Sequence, residues 1–466
     1  MRNRPPISQT ALVVVVAAVQ FLTPFMFSAV GVALPTIGRE FAASAVHLGL
    51  IEMVYMLAVA LFLLPVGRFA DIHGRRQVFI AGASVITLAT MALPLAWSIE
   101  TFIAMRFCQG VGAAMITSTS LAILTSVIPA NRRGRAMGIV VSCVYLGLSV
   151  GPTLAGVMTT YLGWRWIFYA ALPVEVAALV LALVKLAGAE WADAHGERFD
   201  WQGSLLYMLA LLALILGVTH LREWAMAGWL AGAGLLGLLG FMVAELRTPS
   251  PLLPIRFIVH NRVFAFSNIA TWINYTASFG VMFFFSLYLQ TIKGLSPKDT
   301  GLFLVIQPLI QAIVSPLAGR LADRYAPHRL ATMGMAVGTI ALGVSATIAA
   351  DSSLFTVRLV LALLGLGFGL FSSPNTAAVM ASVAPLNYGM AASLLATMRS
   401  TGMLTCMTII TVIVSLYLGD LPITHASGPA FVASMRTALL CFALLSLAGI
   451  GFSLGRVPGR GGRGCP

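Results

Sequence analysis

Along this chain apolar residues do not alternate with polar ones, nor do they mark only one face of a helix. They run on for twenty residues or more before a polar break. The runs lie at roughly 11–37, 47–66, 78–97, 101–128, 135–161, 165–187, 203–220 and 226–245, then at roughly 263–290, 300–318, 330–350, 354–380, 388–418 and 431–455. A bilayer core takes about 20 apolar residues per helix, and only helices or closed barrels satisfy their backbone groups in lipid. Continuous rather than alternating runs exclude a β-barrel. The pattern predicts an all-α membrane protein with fourteen spans.

The breaks between the runs predict its organisation. The longest polar stretch, 188–202, follows the sixth run and carries Glu190, Asp193, Glu197 and Asp200. Two further runs reach Glu245, and a segment rich in Pro and Arg, 246–262, precedes the last six. The expected domains are a six-helix bundle over 1–187, a linker with two extra transmembrane helices over 188–262, and a second six-helix bundle over 263–466. An internal repeat supports the plan: Gly67-Arg68-Phe69-Ala70-Asp71 returns as Gly319-Arg320-Leu321-Ala322-Asp323, each copy closing the second run of its half. Parallel six-span repeats are a transporter architecture.

Composition narrows the function. Of the 466 residues 59% are apolar and 9% charged, against about 25% charged in soluble domains. That excludes a soluble enzyme, a disordered chain and a secreted disulfide scaffold. The net charge of +13 suggests an acidic partner until the basic residues are placed. With the N-terminus inside, the cytoplasmic segments hold Arg68, Arg75, Arg76, Arg132, Arg133, Arg135, Arg320, Arg324 and Arg329 among others, whereas the outer loops hold only Arg39, Arg165, Arg222, Lys293 and Lys298. This is a positive-inside distribution. It rejects a nucleic-acid partner and predicts a multi-pass protein of the cell membrane with both termini cytoplasmic. Arg2 and Arg4 precede an apolar run that continues past Pro24 to Ile37, so the start reads as an uncleaved span. Four cysteines lie in apolar runs and Cys465 in the tail, without a CxxC or a His/Cys cluster. No disulfide, metal site or cofactor is expected.

Three motifs carry chemistry. In Gly67-Arg68-Phe69-Ala70-Asp71-Ile72-His73-Gly74-Arg75-Arg76, the spacing places Gly67 and Gly74 on one helix face, and Asp71 can pair with Arg75. In Gly147-Leu148-Ser149-Val150-Gly151-Pro152-Thr153-Leu154-Ala155-Gly156, glycines and a proline predict a kinked helix with a small-residue face. In Arg106-Phe107-Cys108-Gln109-Gly110-Val111-Gly112, Arg106 and Gln109 share a face. An arginine within a span costs several kcal/mol unless it meets a cavity or a partner; the other reading is an anchor that snorkels to the surface.

These segments resemble the major facilitator superfamily. The first is similar to the loop between its second and third helices, which latches the outward-open state; the resemblance makes Gly67, Asp71, Gly74, Arg75, Gly319 and Asp323 latch residues. Ile72 stands where that family usually has Arg, and Ala326 replaces the second glycine of the later copy. The second resembles the fifth-helix motif of the antiporters, which seals the halves against ion leak and assigns Gly147, Gly151, Pro152 and Gly156. The third resembles the fourth-helix motif whose Arg is implicated in proton coupling. With Val32-Ala33-Leu34-Pro35, Gly163-Trp164-Arg165-Trp166-Ile167-Phe168 and fourteen runs, the chain resembles the drug:proton antiporter branch with 14 transmembrane spans. That branch usually carries an Asp about nine residues before the Pro of the first helix; here the position is Met26.

Acids well inside the runs are Glu52 and Glu175, with Glu245 near a run's end. Burial disfavours a charged carboxylate, so a membrane acid can take up and release protons. Glu52, one turn before Tyr55, is the first candidate for proton coupling, with Arg106 and Glu175; the rival readings are a water-exposed edge acid for Glu52 and a structural acid for Glu175. Polar and aromatic candidates for a substrate cavity are Thr23, Tyr55 and Gln109, then Trp272, Asn274, Tyr275, Gln307, Gln311 and Asn375. Together these readings predict a monomeric, proton-coupled exporter of hydrophobic or cationic small molecules, its partners being the bilayer, protons and an amphipathic substrate. The alternative is an exporter of a lipid, fatty acid or organic anion. An enzyme is not expected, since the seven histidines fall in loops or at helix ends and no HExxH occurs.

Overall fold

The computed structural model describes residues 9–186, 191, 196–221, 224–248, 251–253, 255–322, 324–383, 388–419, 421, 423–424 and 426–455. In chain order the helices are α1 (Gln9–Glu40), α2 (Ala45–His73), α3 (Arg75–Ala92), α4 (Ile99–Val127), α5 (Ala130–Tyr161), α6 (Arg165–Lys185), α7 (Trp201–Thr219), α8 (Ala227–Glu245), α9 (Ile255–His260), α10 (Arg262–Ser278), α11 (Val281–Leu287), α12 (Pro297–Leu304), α13 (Ile306–Ala322), α14 (Pro327–Ser345), α15 (Leu354–Ala381), α16 (Tyr388–Leu418) and α17 (Gly428–Leu454). There is no strand among the described residues. Thirteen helical stretches among them are long and apolar enough to cross a membrane. The run expected at 330–350 is α14, whose polar start, Pro327-His328-Arg329, keeps it out of that set.

Side chains fix many of the helix ends. Ser44, Ser98, Ser296 and Ser353 accept from the backbone N–H groups of His47, Thr101, Asp299 and Thr356, each removing one of the unsatisfied donors of a first turn. Gly74 separates α2 from α3 at φ 128°, a conformation open to glycine at little cost. It therefore ends α2 and does not share a continuous helix face with Gly67. The expected spans at 263–290 and 300–318 are each interrupted. The first breaks at Phe279–Gly280 and ends in a π-helical turn, Tyr288–Ile292. The second breaks at Val305, where Pro308 has no N–H to offer the carbonyl a turn earlier.

The chain forms two compact units. One comprises Met1–Leu253, Met282–Val305 and Met407–Phe431. In it α1 lies along α5, α2 and α3 pack on α4, α6 covers α1 and α3, α12 lies on α5, and α7 and α8 pair as a hairpin. The other comprises Pro254–Val281, Ile306–Cys406 and Val432–Pro466. Its core sets Ala270, Ile273, Ala331, Met335 and Phe371 together, with α13 and α14 packed on α15. The repeat seen in the sequence is a repeat of packing. Gly110 of α4 lies against the Tyr55 carbonyl, and Gly365 of α15 lies against that of Gln307, a Cβ at either coming within 2.5 Å of the oxygen.

Candidate functional site

Helices α2, α3, α4 and α6 are apolar almost throughout, yet each contributes one or two polar side chains to the same place. Arg106, two turns into α4, is wholly buried. Its Nη2 donates to Glu52 Oε2 of α2 at 3.2 Å, and its Nη1 donates to Gln109 Oε1 at 2.6 Å. Gln109 in turn donates through Nε2 to the Thr90 hydroxyl of α3 at 3.0 Å, and Thr90 donates to Glu175 Oε1 of α6 at 3.1 Å. The guanidinium lies 4.4 Å from the centre of the Tyr55 ring, a cation–π contact. Glu52 is 1% exposed and Glu175 4%. Arg106 is thus partnered inside the bundle rather than snorkelling, and Glu52 is no edge acid.

This arrangement answers the cost of burying charge, since an ion pair taken out of water holds only when further hydrogen bonds satisfy it. Satisfaction is incomplete: Glu52 Oε1, Glu175 Oε2 and Arg106 Nε are buried without a hydrogen-bond partner among the described residues. Glu175 also lines a small cavity with Val19, Leu22, Thr23, Ala83, Ile86 and Thr87. Chemically, the cluster offers two carboxyls, one fixed cation and neutral donors between them. Of its members, Thr90 escaped the sequence reading, because one hydroxyl on an apolar helix carries no distinguishing signal. Gln109, expected on the substrate cavity, spends both ends of its amide within the chain of bonds.

The loop after α2 is built around Asp71 and Arg75. Arg75 Nη2 meets Asp71 Oδ1 at 2.6 Å, and its Nη1 donates to Ser126 of α4 at 3.1 Å. Arg68 pairs with Glu197 at 2.5 Å. Phe69 packs edge-on against Phe199 and Trp201, and the Arg75 backbone N–H donates to Trp191 O at 2.9 Å. Described parts of the polar linker therefore return to this loop. In the second copy Gly319 faces Ser373, and Asp323 lies outside the described residues.

The small residues of α5 form two contacts. A Cβ on Gly147 would stand 2.3 Å from Phe21 O, and one on Gly151 would stand 2.1 Å from Ser28 Oγ, both on α1. On the other side a Cβ on Gly156 would stand 2.4 Å from Pro297 O, while one on Gly301 would stand 2.2 Å from Pro152 O. Lys298 N donates to Thr160 Oγ1 at 3.1 Å across the same seam.

The second unit holds the remaining cavity candidates. Asn375 donates to Thr271 Oγ1 at 2.7 Å, Tyr275 packs edge-on against Phe368, and Arg399 lies 5.8 Å from the Tyr275 ring while donating to Thr376 at 3.1 Å. Asn274, Gln307 and Gln311 are buried, and Trp272 is half-buried against the core. Asn274 Oδ1, Gln307 Oε1 and Asn375 Oδ1 have no hydrogen-bond partner among the described residues. The repeat is chemically one-sided: counting from the paired motifs and glycines, Glu52 and Arg106 correspond to Leu304 and Leu361. Among the described residues no group of His, Cys, Asp or Glu is placed to hold a metal ion.

Comparison with known proteins agrees with this architecture. The chain is 29% identical over 380 residues to the riboflavin transporter RibZ of Clostridioides difficile (strain 630), covering 82% of each chain. It is 35% identical over 402 residues to the cephamycin export protein CmcT of Amycolatopsis lactamdurans, covering 84% of this chain and 82% of that one. It is 32% identical over 383 residues to the multidrug resistance protein Stp of Mycobacterium tuberculosis (strain CDC 1551 / Oshkosh), covering 80% and 70%. In fold it matches a crystal structure of a bacterial homologue of the human lysosomal transporter Spinster, inward-facing and unoccupied, with a TM-score of 0.67 at 14% identity over 97% and 98% of the two chains. The family model of the Major Facilitator Superfamily matches residues 16–407. With its helical repeats, its paired loop motifs and that match, the chain belongs to the major facilitator superfamily of multi-pass membrane transporters.

Proposed function

We propose that this transporter is a proton-coupled exporter of hydrophobic or cationic small molecules. The observation that carries the reading is the pair of buried carboxyls, Glu52 and Glu175, tied to one guanidinium inside an apolar bundle. A proton arriving from outside neutralises Glu52 and loosens its hold on Arg106, and the change releases substrate. Loss of the proton to the cytoplasm restores the pair. Alternating access exposes the site to each side in turn. The likeness to a multidrug resistance protein and to a cephamycin export protein supports the outward direction and a small-molecule substrate.

In this reading the chain is a monomer with fourteen spans, α14 included, and both termini cytoplasmic. Residues 1–187 and 263–466 are the two six-helix bundles, and 188–262 carry the extra pair. The Gly67–Arg75 loop and its copy at Gly319 and Asp323 latch one state, and Gly147, Gly151, Pro152 and Gly156 seal the halves. Thr23, Tyr55 and Gln109 of the first half, and Trp272, Asn274, Tyr275, Gln307, Gln311 and Asn375 of the second, serve the substrate path.

A second reading, export of a lipid, fatty acid or organic anion, is favoured by one observation: α1 carries no acid before Glu40 at its very end, Met26 being buried where the antiporter branch usually has Asp. Purified protein in liposomes with an imposed pH gradient separates the two. Ethidium movement with matching proton counterflow supports the first. Movement of a fatty-acid anion without ethidium movement supports the second, and transport indifferent to the gradient overturns proton coupling.

A further inference from the structure

Each bond in the buried chain has a fixed direction. Arg106 can only donate, so Gln109 must present its carbonyl oxygen to it and its amide nitrogen to Thr90. Thr90 has a single hydroxyl hydrogen, and with Gln109 donating to its oxygen that hydrogen goes to Glu175. The direction therefore runs from Arg106 through Gln109 and Thr90 and ends on a carboxyl, while the other edge of Arg106 ends on Glu52.

Charge adds a second constraint. One guanidinium contacts Glu52 directly and reaches Glu175 only through Gln109 and Thr90. The charged or titratable groups facing the pair are Arg106 of α4 and Tyr55 of α2, and the packed faces of α1 and α3 add Thr23, Thr87 and Thr90. With both carboxyls ionised, the buried cluster has a net negative charge that no other described group offsets; one shared proton balances it.

The geometry points to Thr90 and Gln109 as positioning residues that join Glu52 and Glu175 into one unit holding one proton between them, so that occupancy of either carboxyl is felt at the other. This rests on the proton-coupled reading above and adds how the proton site is built. The step is a proton transfer alone: the proton enters from water onto one carboxylate oxygen and leaves from the pair to water, and no other bond is made or broken. When Glu175 takes the proton on its unpartnered Oε2, the Thr90 hydroxyl goes on donating to Oε1 and the direction of the chain is kept.

The test is an infrared titration of the protonated-carboxyl stretch of the purified full chain in liposomes, without substrate. Glu52→Gln is expected to displace the midpoint of the remaining Glu175 band by about one pH unit, the size that marks interacting sites, and Glu175→Gln to displace that of Glu52 equally, as linkage requires. Thr90→Val keeps the shape and removes the hydroxyl, so it is expected to abolish both displacements, while Thr90→Ser preserves them. If Thr90→Val does not fold, Gln109→Leu interrupts the same path one link earlier. Midpoints that ignore the partner carboxyl overturn the proposal, as does a displacement that persists in the interrupted variants. Proton-driven flux is a separate measurement, so a failure here leaves the transport reading standing.

Discussion

Arg106 is held on three sides, and the side that faces no polar atom is the ring of Tyr55, 4.4 Å from the guanidinium carbon. The ring, not the hydroxyl, makes this contact. Tyr55→Phe keeps the ring and is expected to leave thermal stability near that of the parent. Tyr55→Leu is expected to lose about 0.5–2 kcal/mol, the range of a cation–π contact. Chemical denaturation in detergent distinguishes the two.

Removing Arg106 leaves Glu52 buried with no cation beside it. Arg106→Met is expected to cost about 3–5 kcal/mol, the penalty for breaking a buried pair from one side. The double variant Arg106→Met with Glu52→Gln is expected to recover much of that loss. A double variant no more stable than Arg106→Met would contradict the pairing.

Among the crowded glycines, Gly301 tests the α5–α12 seam cleanly, because its would-be Cβ meets backbone, Pro152 O, and not a side chain that can move. Gly301→Val is expected to cost about 1–3 kcal/mol through overpacking and to slow transport. Gly138→Val, on the same α5 but with open space around it, serves as the control and is expected to change stability little.

At the far end of α1, Glu40 accepts from Nη2 and Nη1 of Arg165 at 2.6 and 2.9 Å and from the Trp164 indole N–H at 2.6 Å. The ion pair is half-exposed, so Arg165→Ala is expected to cost no more than about 1 kcal/mol, less in high salt. Glu40→Ala also strips the indole of its acceptor and is expected to be the more damaging. Unfolding midpoints at low and high salt give both comparisons.

Helices, repeat and the charged loop after α2 were legible in the sequence because a membrane imposes a coarse rule: long apolar runs, interrupted where charge is allowed. Glu52, Arg106 and Glu175 stood out for the same reason, since charge inside a run is costly. What joins them was not legible. Thr90 resembles Thr87, which merely returns its hydroxyl to Ala83 O, and only the assembled bundle distinguishes the two. Gly74 was misplaced because spacing by sevens describes a helix that continues, whereas its φ ends one. The break at Val305 has its signal in Pro308, which the high hydropathy of the run masks.

The α7–α8 hairpin touches α2 at an informative place. The Tyr207 hydroxyl of α7 donates to Ala60 O at 2.9 Å, next to the turn that Pro65 weakens by withholding its N–H from Leu61. Glu52 lies two turns to one side of that point and Gly67 two turns to the other. The α7–α8 hairpin therefore grips α2 between its buried carboxyl and its loop glycine, so a change at Tyr207 bears on the helix that carries both.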